Sequence, residues 1–276
     1  MAEITRWQGL FSAPCPLIGV VHLQPLPGSP RWGGDLAAVE RAALADAQAY
    51  RAGGADGLIV ENFGDAPFFA GSVPAETVAA MARLAAAVVA AAGPLPVGVN
   101  VLRNDGLAAL GVAVASGARF LRVNVLTGAS VTDQGLIQGQ AAELLRRRRL
   151  LAADGPHSGI AILADVLVKH AAPLAPLAIE DAVRDTIGRG GADAVIVSGG
   201  GTGEPTALAD LQRARAAAAA APVLVGSGCS AATAAELARH CNGVIVGSAL
   251  KRGGELEQPV DPERVRQLRR LLSQSL

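Results

Sequence analysis

Three apolar runs in the last third of the chain each break off in glycine and hydroxyl residues. Ala194-Val195-Ile196-Val197-Ser198 runs into Gly199-Gly200-Gly201-Thr202-Gly203. Val223-Leu224-Val225 runs into Gly226-Ser227-Gly228, and Val244-Ile245-Val246 into Gly247-Ser248-Ala249-Leu250-Lys251. Each run has the length and β-branching of a buried strand, and a helix-like stretch follows each. Glycine lets backbone N–H groups approach an anion closely, and a helix starting there adds the positive end of its dipole. Two such turns in succession at the end of a chain are how a (β/α)₈ barrel builds a phosphate site after its seventh and eighth strands. The predicted phosphate-binding residues are Ser198, Gly200, Gly201, Gly226, Ser227, Gly228, Gly247 and Ser248.

The rest of the chain repeats the same unit. Strands are expected at 17–21, 57–61, 96–101, 119–125 and 160–168 before the final three. Helices are expected at 36–51, 75–92, 106–116, 138–153, 179–189, 207–220, 231–240 and 263–272. Asp35 suits the first N-cap, and Gly53-Gly54 stops that helix. The strands are continuous apolar runs, as in parallel sheets buried on both faces. Gly54-Ala55-Asp56, Gly117-Ala118-Arg119 and Gly191-Ala192-Asp193 mark helix-to-strand turns on one rim. An open doubly wound sheet is the alternative, weakened because no Gly-x-Gly-x-x-Gly turn follows the first strand. The 276 residues are expected to form one barrel domain, with 1–16 a leading segment and 17–276 the barrel. Ile4, Trp7, Leu10 and Phe11 of that leading segment would plug the barrel bottom or contact a partner.

Composition removes several function classes. Formal net charge is zero, so no basic field attracts nucleic acid or an anionic membrane. Each apolar run is interrupted by glycine, proline or charge, so no membrane span is expected, and any membrane association would be peripheral. The start of the chain lacks a secretory pattern. Cys15, Cys229 and Cys241 have no metal-ligand spacing. A cytoplasmic location follows as the expectation. Homo-oligomerisation stays open.

Barrel chemistry sits at the carboxyl ends of the strands. Reading those ends in order gives His22, Glu61-Asn62, Asn100, Arg122 with Asn124, Asp165 with Lys169-His170, and Ser198. The predicted catalytic residues are Glu61, Asp165, Lys169 and His22. Asn62, Asn100, Arg122, Asn124 and His170 are expected to bind substrate. If the fifth strand stays extended, Asp165, Leu167 and Lys169 share a face, which brings Lys169 over the mouth. There the lysine holds a second anion, forms a Schiff base or transfers a proton; its bland alternative is an ion pair with Asp165. Glu61 is the acid/base candidate, or else the partner of Arg103 or Arg122. All but two of the 24 cationic residues are arginine, which sets Lys169 and Lys251 apart. No metal site is assigned; Mg²⁺ through Glu61 and Asp165 is the one ion the carboxylates suit. The Arg146 to Arg149 run reads as a solvated helix face.

With those residues laid out, the chain resembles the BtpA/SgcQ family. The resemblance covers about 16–251 and rests on five stretches. These are His22 to Pro30, Glu61 to Phe68, Gly98 to Asn104, Ala164 to Ala171 and Ser198 to Gly203. It implies a barrel of the ribulose-phosphate-binding type and a phosphorylated small-molecule ligand. The family name refers to stabilising photosystem I proteins, and relatives occur in organisms without photosynthesis, often near sugar-metabolism genes. The family brings no settled reaction. A more limited likeness links the closing Gly-Ser-Gly and Val-Gly-Ser turns to the tryptophan synthase α barrel. Three readings are therefore expected to compete: acid/base chemistry of the isomerase, lyase or glycosyl-bond kind on a phosphorylated metabolite, non-catalytic assembly of photosystem I or another membrane complex, and sensing of a phosphorylated ligand without turnover.

Overall fold

Eight parallel strands close on one another in the computed structural model of the chain, which describes residues 5–156, 158–199 and 206–275. They are β1 (Leu17–His22), β2 (Gly57–Glu61), β3 (Val97–Asn100), β4 (Phe120–Val123), β7 (Ala161–Val166), β9 (Ala194–Val197), β10 (Val223–Val225) and β11 (Val244–Val246). The order around the barrel is β1-β11-β10-β9-β7-β4-β3-β2. Strands β5 (Ala129–Thr132), β6 (Gly135–Gln138) and β8 (Ala171–Pro173) form a separate antiparallel sheet in the order β6-β5-β8. Around the barrel lie α1 (Leu36–Gly53), α2 (Ala75–Ala92), α3 (Gly106–Ser116), α4 (Ala141–Leu150), α5 (Ile179–Arg184), α6 (Leu208–Ala217), α7 (Ala234–Ala238) and α8 (Pro262–Gln274). The open-sheet alternative is thereby excluded.

Period-two alternation sorts every strand into an inner and an outer face. Ile18, Val20, Ile59, Phe120, Ala161, Leu163, Ala194, Ile196, Leu224 and Ile245 form the inner core. The outer face carries Leu17, Val21, Leu58, Val60 and their counterparts against the helices. Gly19 faces outward where the Tyr50 ring of α1 covers the strand, and a β-carbon there would lie 2.3 Å from that ring. Trp7 and Phe11 close the inner core from below, with ring centroids 4.7 Å apart and Phe11 packed 6.1 Å from Phe120. The leading segment is a plug, as one of its two expectations had it; Ile4 falls outside the described residues.

The Gly-Ala-Asp turns work as expected. Gly54, Gly117 and Gly191 adopt φ of 84°, 79° and 65°, values that favour glycine. Asp56 then accepts from the N–H of Leu17, and Asp193 from the N–H of Ile162, so each acid locks a strand to its neighbour. Arg148 spends its charge on the same Asp193 at 3.0 Å. One member of the Arg146 to Arg149 run is therefore a buried strut, not part of a solvated face.

Four expectations need correction. The expected helix at 138–153 begins at Ala141, because Gly135–Gln138 pairs with Ala129–Thr132 as a hairpin. The fifth strand does not run to Val168: it ends at Val166, and Leu167 turns to φ 47° with its side chain exposed. The helices near the last two glycine turns are short, with five residues in α7 and a single 3₁₀ turn, Ser248–Leu250, after β11. Finally, α2 is long and apolar enough by composition to cross a membrane. In the barrel it instead buries Met81, Leu84, Ala85 and Val88 and pairs Arg83 with Glu40 of α1.

Candidate active site at the carboxyl rim

The inward position at the end of each barrel strand, or just beyond it on β9, β10 and β11, carries a polar group or a glycine. On β1, β2 and β3 these are His22, Glu61 and Asn100, paired in register from strand to strand. On β4 and β7 they are Arg122 and Asp165. Gly226 and Gly247 follow the last inward residues of β10 and β11. A β-carbon on Gly226 would sit 2.5 Å from Ile196 Cγ2 and 2.6 Å from Ser198 Oγ, with Arg122 Nη2 at 3.3 Å.

Arg122 is the hub. Its Nε donates to Asp165 Oδ2 at 2.9 Å and its Nη2 to Asp165 Oδ1 at 3.0 Å, a two-pronged pair. Its Nη1 donates to Glu61 Oε1 at 3.2 Å. Asn100 donates to the same Glu61 oxygen at 3.2 Å, and Asn124 donates to Asp165 Oδ2 at 3.0 Å. Ser198 adds its hydroxyl to Asp165 Oδ1 at 3.4 Å. Burial works against the guanidinium's charge, but Asp165 and Glu61 outweigh it and hold Arg122 more firmly protonated than usual. For Glu61 burial pushes the carboxyl up, and Arg122 with Asn100 brings it below its ordinary value. The guanidinium lies between Glu61 and Asp165, the two carboxylates that would suit Mg²⁺, and no metal-suited cluster of His, Cys, Asp or Glu occurs among the described residues.

His22 is the opposite case. Burial drops its imidazole to about 4, so it is neutral at physiological pH. The Nδ1 atom is buried without a hydrogen-bond partner among the described residues. The ring stands edge-on to Phe63 with centroids 5.1 Å apart. It also lies against Gly247, where a β-carbon would come within 2.5 Å of Cε1.

Lys169 reaches the mouth by a route that alternation does not describe. The chain leaves β7 at Leu167, and the Lys169 carbonyl accepts from Arg103 Nη2 at 2.6 Å. The side chain is half-buried, and neither it nor Arg103 has a carboxylate within ion-pair distance among the described residues. Burial, and after it Arg122, lowers the Lys169 amine below its ordinary value.

A cavity of about 740 Å³ gathers these groups. His22, Glu61, Asn100, Arg122, Asn124, Lys169, His170, Gly226, Ser227, Gly228, Gly247 and Ser248 all line it. Asp165, Asn62 and Ser198 are not on its wall. Asp165 and Ser198 stand behind Arg122, while Asn62 braces Asp65 at 3.0 Å and accepts from the Leu102 N–H at 2.7 Å. Gly200 and Gly201 lie outside the described residues. Phe63 and Arg103, which follow the second and third strands on the rim, also line the cavity without having been assigned a role from sequence, and Asp133, Gln134, Phe68, Ser230 and Thr233 are wall residues that sequence reasoning missed. Arg103 and Phe63 stand inside motifs already singled out, so rim position was the available signal; Asp133 and Gln134 arrive on the unforeseen hairpin. A second cavity of about 370 Å³ adjoins at His22, Phe63 and Leu256. Lys251 also lines it and is bound to Asp46 at 2.7 Å.

A model of the BtpA family matches residues 14–274. The photosystem I biogenesis protein BtpA of Synechocystis is 53% identical over 259 residues, spanning 92% of this chain and 87% of that one. An uncharacterised protein of Pyrococcus furiosus is 47% identical over 256 residues, 93% of this chain and 94% of its own. Among solved structures, 3-hexulose-6-phosphate synthase of Salmonella typhimurium superposes with a TM-score of 0.58 at 16% identity. That match covers 95% of this chain and 100% of the synthase. At that identity the likeness establishes the fold alone, a (β/α)₈ barrel.

Proposed function

This chain belongs to the BtpA family, and on that footing we propose that it is a cytoplasmic enzyme acting on a phosphorylated sugar or sugar-like metabolite by acid/base chemistry of the isomerase or lyase kind. One observation carries the reading: a single cavity holds both the glycine turns after β10 and β11 and a set of opposed acid, base and cation. The phosphate rests on backbone N–H groups near Gly228 and Ser248. Gly228 has φ 77°, so its N–H takes a direction that other residues rarely allow.

Glu61 is ionised at neutral pH and meets the substrate as the base. His22 is neutral and carries a proton between substrate atoms. Arg122 stabilises negative charge that develops on the substrate, in a pocket where its orientation is prepaid by Asp165. Asp165 is a positioning residue, since it reaches the cavity only through Arg122. Among the described residues Lys169, like Arg103, has no carboxylate within ion-pair distance. Its lowered amine also favours a second reading, a lyase in which Lys169 attacks a carbonyl. Borohydride trapping of substrate on the wild type but not on Lys169→Met supports that subset, and equal trapping on both removes it.

The name of the Synechocystis relative supports a competing role in assembling a membrane complex. A charged, aligned cavity wall is not something such a role requires. A thermal-shift screen against inorganic phosphate, sugar phosphates and nucleotides separates the two, with Ser248→Asp beside the wild type. A ligand at roughly a hundred times its dissociation constant adds about 2.7 kcal/mol of stability. The expected result is a shift in the wild type that Ser248→Asp abolishes. A folded wild type that no phosphorylated compound shifts transfers the function to assembly.

A further inference from the structure

The barrel order puts β3 diametrically across from β10, since four places separate them in either direction around the eight-stranded ring. Arg103 follows β3, and the Gly226 to Gly228 turn follows β10. Arg103 is therefore held across the mouth from the Gly226 to Gly228 turn, and Lys169, which follows β7, lines the same cavity. The two residues are joined by the Arg103 Nη2 bond to the Lys169 backbone carbonyl at 2.6 Å. Arg103 is 6% exposed. A cation so buried ordinarily has a carboxylate beside it. The buried acids of the mouth are already taken, because Arg122 holds Asp165 with two bonds and Glu61 with one. Among the described residues no carboxylate lies within ion-pair distance of Arg103 or Lys169, both of which line the cavity; the exposed Asp133 on the same wall, which also attracts Arg103, is bonded to Gln134.

We infer that the Arg103–Lys169 corner is a second anion subsite, and that the ligand of this barrel carries two anionic groups at opposite ends. One is a phosphate on the glycine turns; the other is a carboxylate or a second phosphate on Arg103 and Lys169. The inference rests on the phosphate reading of the turns given above and narrows it to doubly anionic metabolites. Arg103 offers a planar fork to such a group and Lys169 a point charge. Burial lowers both Arg103 and Lys169, as expected of cations whose counter-ion arrives with the ligand.

Calorimetric titration of the full chain with four probes tests this. They are inorganic phosphate, ribose 5-phosphate, 6-phosphogluconate and fructose 1,6-bisphosphate, each against wild type, Lys169→Met, Lys169→Arg and Ser248→Asp. One of the two doubly anionic probes is expected to bind at least about tenfold more tightly than ribose 5-phosphate, the worth of one charge-assisted contact. Whichever it is identifies the second group as carboxylate or phosphate. Lys169→Met is expected to erase that advantage while phosphate affinity stays within about twofold, and Lys169→Arg to restore most of it. Equal wild-type affinity for singly and doubly anionic probes overturns the inference and leaves the phosphate reading standing. So does a Lys169→Met variant that weakens all four probes by one factor. Probe binding that Ser248→Asp leaves unchanged overturns the phosphate reading itself, and the second subsite with it.

Discussion

Arg122 grips Asp165 through two parallel hydrogen bonds of 2.9 and 3.0 Å and reaches Glu61 with its remaining terminal nitrogen at 3.2 Å. One guanidinium thus neutralises parts of two carboxylates inside the barrel mouth. Removing it leaves both buried acids without their cation. Arg122→Met is expected to cost about 3–5 kcal/mol in urea denaturation. Arg122→Lys is expected to recover less than half of that loss, because an ammonium cannot make the two-pronged contact. A stable, well-folded Arg122→Met would show the hub to be dispensable.

Gly247 and His22 are coupled by space. A methyl group at Gly247 meets the imidazole at 2.5 Å, so Gly247→Ala is expected to lose about 1–3 kcal/mol through overpacking. Truncating the ring in the double variant Gly247→Ala/His22→Ala should return much of that. The readout is the coupling energy of the double-mutant cycle. Strictly additive losses would mean that the ring does not rest on Gly247.

His22 also writes a pH signature. Folded, its imidazole titrates near 4; unfolded, it returns to its ordinary 6.5. Between those values the unfolded chain binds more protons, so the folded state loses stability as pH falls through that window. The stabilisation is fully present above 6.5. Glu61, held below its ordinary carboxyl value of 4.5, contributes a further loss only at lower pH. The Tm of the wild type is therefore expected to drop faster between these two pH values than that of His22→Gln. Parallel curves would place the His22 ring in contact with water.

The two lysines should separate cleanly. Lys251 is 4% exposed and ion-paired to Asp46, which also takes the Val260 N–H at 2.8 Å. Lys251→Met leaves Asp46 buried without its cation, and a loss of about 3–5 kcal/mol is expected. Lys169→Met breaks no ion pair among the described residues and should change stability by less than about 1 kcal/mol while abolishing turnover of any substrate found. Reversed behaviour in melting and activity assays would exchange the roles given to the two residues.

Much of this was legible in the chain because it depends on local pattern. Apolar runs ending in glycine identify the strands, and period-two alternation picks out the inward rim residues His22, Glu61, Asn100, Arg122 and Asp165. Gly54, Gly117 and Gly191 announce their left-handed turns by being glycine. The hairpin at 129–138 was not legible. Its pattern is mostly polar, and β5 is completed by β8 some forty residues later. Nor was the path to Lys169, because alternation holds only while the strand lasts and β7 ends at Val166.

What the sequence by itself determined is therefore the architecture and the list of polar residues at its mouth, since both follow from periodicity and backbone preference within each strand–helix unit. Tertiary structure alone decided which of those residues pair. Glu61, Arg122 and Asp165 belong to three different strands, and only closure of the barrel brings one guanidinium between two acids. The same closure leaves Lys169 and Arg103 facing the cavity without a described carboxylate partner. Charge partners across a barrel are chosen by distance and desolvation, and neither is a property of any one stretch of chain.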